Sequence, residues 1–108
     1  MTLLKWNKEF AMEQAAEDQE LLQELLDIFK TSFASDLQLI RDGVASGNVK
    51  QVTGAAHSIK GASSSLGIDG VTEIAKTIED EGKSGRLEQA GQLIGQLEKM
   101  LTEIEGLS

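Results

Sequence analysis

From Asp18 to about Ala45, the apolar residues Leu22, Leu25, Leu26, Phe29, Phe33, Ile40 and Val44 recur at helical, three- and four-residue steps. A stripe this long fits one face of an α-helix and cannot be a strand, whose faces alternate at every residue. Proline is absent and no run alternates apolar with polar residues, so the whole chain reads as helical. A weak short helix is expected over 6–14, with Trp6 and Phe10 one turn apart. Asp18 is a plausible N-cap for the long helix, and Gly47 ends it. Asn48 with Gln51 resembles a capping box for a third helix that reaches Leu66, where Gly67 supplies a left-handed stop. Asp69 caps a fourth helix carrying Val71, Ile74, Ala75 and Ile78, ending near Gly82 and Gly85. The last helix runs from about Arg86 with Leu87, Ala90, Ile94, Leu97, Leu101 and Ile104 on one stripe. Short connections favour antiparallel neighbours, so the expected fold is all-α: an up-down-up-down four-helix bundle with an additional short N-terminal helix.

At 108 residues the chain is expected to form a single domain, 1–108, without repeats or linkers. It has no cysteine, which removes disulfides, thiolate metal sites and cysteine nucleophiles. A formal net charge of −8 is the wrong sign for holding a phosphate backbone, so nucleic acid is not an expected partner. No stretch approaches the roughly 18 apolar residues of a membrane span, and no signal region follows Met1. A cytoplasmic monomer is the expectation. Met1 and the missing linker favour a stand-alone protein over a piece of a larger kinase.

The chain has a single histidine, His57, on the third helix. At about 100° per residue, Val52, Ala55, Ile59, Ala62 and Leu66 lie within about 40° of the direction opposite His57. They form the core stripe, and His57 is expected mid-face in solvent beside Lys50, Thr53, Gly54, Lys60, Gly61 and Ser64. Gly54 and Gly61 flank it one turn either way. Each costs about 1 kcal/mol relative to alanine inside a helix, and neither is at an end where capping would explain it. What they offer is clearance for a partner's backbone. Lys60 sets a cation beside the ring, suited to an anion carried on the histidine. One histidine cannot make a metal site. A hydrolase triad through Ser63, Ser64 or Ser65 lacks a nucleophile elbow and an oxyanion hole, and no P-loop spacing is present.

The run His57-Ser58-Ile59-Lys60-Gly61-Ala62-Ser63-Ser64-Ser65-Leu66-Gly67 closely resembles the signature of histidine-containing phosphotransfer (HPt) domains, and 19–29 is similar to that family's second helix. The resemblance implies that His57 is the phosphorylated nucleophile, Lys60 stabilises phosphoryl charge, Gly61 provides clearance and Ser64 offers a hydroxyl. It also implies an acid or amide on the next helix that orients the imidazole. Glu79 is the candidate, with Asp80 and Glu81 as alternatives. The implied function is relay of a phosphoryl group between receiver-domain aspartates in two-component signalling, by a phosphocarrier and not an enzyme. Expected partners are response-regulator receiver domains and a hybrid sensor histidine kinase. No cofactor is expected in this chain, Mg²⁺ belonging to the receiver. The rival readings are a binding module that docks receivers or kinases without phosphorylation, and the substrate domain of a chemotaxis-type kinase.

A second apolar set on the long helix, Leu21, Ile28 and Leu39, falls about 80–100° from Phe29. The first helix is expected to cover Leu21 and Ile28. Leu39 lies beyond its reach and is expected to be partly exposed, within a docking patch for receivers.

Overall fold

The computed structural model describes residues 3–107, which form the helices α1 (Lys8–Gln14), α2 (Gln19–Ser46), α3 (Val49–Ser65), α4 (Asp69–Lys83), α5 (Leu87–Gln92) and α6 (Ile94–Glu105). Central α3 packs most extensively against α4 and α2, while α5 and α6 close the bundle on α2 and α4. One apolar cluster runs through it, with Phe33, Leu37, Ile40, Val52, Ile59, Ile78, Leu97 and Ile104 among its fully buried side chains. Four long arms plus a short first helix is the architecture that the periodicity predicts, if α5 and α6 are taken as one arm.

That arm breaks at Leu93. Gly91 lies so close to α2 that a Cβ there would meet Val44 Cγ1 at 3.1 Å. The contact sets the direction of α5, and weak helix formers on either side, Gly91 and Gly95, let the chain bend.

The helix ends are mostly as the sequence implies. The Asp18 carboxylate accepts from Glu20 N and Leu21 N at 3.0 and 3.2 Å, and Gly47 closes α2 with φ 72°. The Asn48 side chain accepts from Gln51 N at 3.1 Å. The reciprocal half of the capping box is missing, because the Gln51 amide donates instead to Leu39 O at 2.9 Å. Asp69 is not the cap of α4: it lies in the first turn, where its charge suits the helix dipole, and Ile68 precedes it without a side-chain cap.

The reason is the N-terminal segment. The first helix begins at Lys8 and not at Trp6, because Asn7 caps it by accepting from Phe10 N at 3.1 Å. Ahead of it the chain is a strap across the α3–α4 turn. Trp6 pairs antiparallel with Ile68, and its indole Nε1–H donates to Leu66 O at 3.0 Å. Asn7 N donates to Gly67 O at 2.8 Å, and Gly70 N donates to Leu4 O at 2.7 Å, which satisfies an early amide of α4. A Cβ on Gly70 would lie 2.0 Å from Leu3 O and 2.8 Å from Leu4 backbone atoms, so only glycine admits the strap. A Cβ on Gly54, in contrast, meets nothing within 4 Å. Gly70→Ala is therefore expected to destabilise the fold by about 1–3 kcal/mol. Gly54→Ala should stabilise it by up to about 1 kcal/mol. Denaturant midpoints of the two variants against the parent read both signs.

Candidate functional site

On α3 the buried residues are Val52, Ala55, Ala56, Ile59 and Ser63, with Leu66 buried just beyond its end. Ala62, assigned to the core stripe from its angle, is only half-buried. The buried arc also includes Ala56 and Ser63, because α3 is covered on two flanks, by α2 and by α4. One-sided amphipathic arithmetic underestimates such a helix. Opposite this arc, the His57 side chain is 67% exposed. Gly54 and Gly61 are exposed beside it, and a Cβ at either would meet nothing within 4 Å.

On the α4 flank His57 Nδ1 lies 2.9 Å from Glu79 Oε2. Glu79 is only 3% exposed, among the few buried polar residues. Lys60 Nζ donates to its other oxygen, Oε1, at 2.7 Å, and Lys83 Nζ lies 3.3 Å from Oε2. Burial pushes the Glu79 carboxyl up. Hydrogen bonds from Lys60, Lys83 and His57, with the charge of Lys60, outweigh it and hold the carboxyl at about 2, below its ordinary 4.5. An ionised carboxylate only accepts, so Nδ1 carries the hydrogen of this bond, and in the neutral ring Nε2 keeps the lone pair.

Of the three acids that the sequence leaves open, Glu79 is the one in contact with His57. Asp80 is exposed, and Glu81 is bound by Arg86. Lys60 falls beside His57 as the spacing predicts, but its ammonium is committed to Glu79. Ser64 is exposed on the same side of α3, yet two helical turns, about 10 Å of rise, separate it from His57. Ser63 cannot be a nucleophile: fully buried, it donates to Ile59 O at 2.7 Å and pairs with Thr72 Oγ1 at 2.8 Å. Lys83 escapes the sequence reading. Its signal was the spacing of four from Glu79, which becomes informative only once Glu79 is placed. Among the described residues no group of three or more His, Cys, Asp or Glu side chains is arranged to hold a metal ion.

On the α2 flank several apolar side chains are exposed. Leu39 is 42% exposed. The expectation that α1 covers Leu21 and Ile28 is wrong, for they are 37% and 66% exposed. Helix α1 has only 7 residues, and Trp6, which would have lengthened its apolar face, is held in the strap. Ile28 instead lines a groove of about 160 Å³ with Leu25, Phe29, Ser32, Ala62, Ser65 and Leu66. Between α2 and α3 at this level, Ser58 Oγ donates to Asp36 Oδ2 at 2.8 Å.

An exposed histidine, held through Nδ1 by a buried carboxylate, thus stands on the face of a helical bundle. Residues 24–106 match the Hpt domain family, and the chain belongs to that family. Hpt domains are phosphocarrier modules of phosphorelay signalling and not classical enzymes. The fold is similar to that of histidine-containing phosphotransfer protein B (HptB) from Pseudomonas aeruginosa PAO1, with a TM-score of 0.87 and 23% identity over 95% of this chain and 90% of that one. Comparison with curated protein sequences finds no match. Among the described residues no helix is long and apolar enough to cross a membrane.

Because the Glu79 carboxyl is depressed, its contribution to stability is complete above its ordinary 4.5 and disappears as pH falls through about 2. The stability difference between the parent and Glu79→Gln should therefore narrow steadily as pH falls through that window. Denaturant midpoints followed by circular dichroism measure it.

Proposed function

We propose that this chain carries a phosphoryl group on Nε2 of His57, accepting it from the phosphoaspartate of one receiver domain and passing it to the aspartate of another. The observation that carries this reading is the bond from the exposed His57 ring to the buried, ionised Glu79. The Nε2 lone pair attacks phosphorus in line with the acyl oxygen. An N–P bond forms, the P–O bond to the aspartyl carbonyl breaks, and the aspartate leaves with the electron pair as a carboxylate. No proton moves in this step. The ring keeps its Nδ1–H, and Glu79 offsets the positive charge that develops on it. The reverse sequence returns the phosphoryl group to a second receiver.

Lys60, its ammonium 2.7 Å from Glu79 Oε1, holds that carboxylate in place beside the ring. Mg²⁺ and the other groups in line come from the receiver, which a hybrid sensor kinase can also supply. Gly61 and Gly54 clear the way for its backbone. Ser64 presents its hydroxyl to the partner further along α3. Ile28 and Leu39 form the apolar side of the docking face, a few exposed side chains of the kind that anchors interfaces. On this reading the protein works in the cytoplasm as a monomer.

Incubation with a phosphorylated receiver domain should give a chain whose label is lost in acid, as expected for a phosphoramidate. His57→Gln should take no label and keep parental helicity, since the side chain is largely solvent-facing. Label retained by that variant places the nucleophile elsewhere. Leu39→Asp should weaken receiver binding by about tenfold, the loss of one well-placed contact of about 1.4 kcal/mol, and Gly61→Gln should weaken it by a similar factor by obstructing the partner's backbone. Titration of receiver against each variant, with helicity checked, reads this, and parental affinity in both removes the docking face from the proposal.

A further inference from the structure

Two lysines meet Glu79, and they are not equivalent. Lys60 Nζ is 2.7 Å from Oε1, an oxygen for which no other donor is recorded among the described residues, and its side chain is 30% exposed. Lys83 Nζ is 3.3 Å from Oε2, which already accepts from the imidazole at 2.9 Å, and its side chain is 64% exposed. The first contact is short and sheltered. The second is long, open to water and made to an oxygen in use. By these two distances, Lys83 Nζ is no more than about 6 Å from His57 Nδ1.

The backbone brings Lys83 there. Gly82 lies against α3 so closely that a Cβ would meet Thr53 Cγ2 at 2.8 Å, and Thr53 is one turn before His57. The C-terminal end of α4 thereby closes on the His57 face, and Lys83 is its last residue. Charge also favours the assignment. Glu79 and Lys60 form a neutral pair, so a phosphoryl dianion arriving at Nε2 would stand near a carboxylate with no net positive charge to meet it. Lys83 supplies that charge. Resting on the phosphocarrier reading above, we infer that Lys83 is the cation that leaves Glu79 to bind the phosphoryl oxygens at His57, while Lys60 stays on the carboxylate as its positioning residue. A lysine at a helix C-terminus, four residues after a glutamate, also suits the helix by itself. That role affects stability alone, which is what separates the two.

The test uses the full chain and a phosphorylated receiver domain in single turnover, over a range of receiver concentrations. Lys83→Gln should lower the rate at saturating receiver about tenfold, with a half-saturating concentration near that of the parent. Lys83→Arg, which keeps the charge, should recover most of that rate, and thermal unfolding should confirm that both variants fold. A parental saturating rate in Lys83→Gln overturns the inference. An equal loss in Lys83→Gln and Lys83→Arg overturns it too, since charge would then not be what matters. Failure of the parent itself to take label at His57 would bring down the phosphocarrier reading and this inference with it, an outcome distinct from the other two.

Discussion

A carboxylate taken out of water is costly unless every oxygen is met by a donor, and Glu79 meets that condition with an imidazole and two ammonium groups. Its partners come from both α3 and α4, so the bond set ties the two helices together at the level of His57. Rotation of α4 by one residue would replace Glu79 with Ile78 or Asp80 and leave the imidazole without its acceptor. The chemistry of the face therefore depends on the register of one helix pair.

That register is held at both ends. At one end the strap from Leu4 to Asn7 crosses the α3–α4 turn, bridging Ile68 and capping Gly70. The hydroxyl pair of buried Ser63 and half-buried Thr72 lies just inside it. At the other end Gly82 packs against Thr53. Each device acts by geometry more than by burial: a short backbone hydrogen bond or a missing Cβ allows one spacing and few others.

The two flanks of His57 divide the work. Toward α4 the groups are charged and bound to one another, which orients the ring. Toward α2 the exposed apolar side chains include Leu39 and, further along, Ile28, the glycines Gly54 and Gly61 add no side chain, and the Asp36 carboxylate accepts from Ser58. An exposed isoleucine adds nothing to folding. A partner that covers it gains its transfer free energy, about 25 cal/mol per Å² of apolar area removed from water. A face arranged this way is suited to binding by apolar contact while the charged flank keeps the imidazole fixed.

Periodicity alone determined the helical arms, the core of α2, the outward direction of His57 and the cleared glycines beside it. These are local properties, set by a rotation of about 100° per residue within one helix. The histidine run further carried the resemblance to the family. Tertiary structure decided which of Glu79, Asp80 and Glu81 meets the ring, that Lys60 is spent on the carboxylate, and that Lys83 stands over it. It also diverted Trp6 from α1 into the strap, left Ile28 uncovered and bent the last arm at Leu93. All of these depend on how one helix is rotated and shifted against another. No angle computed within a single helix contains that offset; it follows from close approaches such as Gly70 to Leu3, Gly82 to Thr53 and Gly91 to Val44.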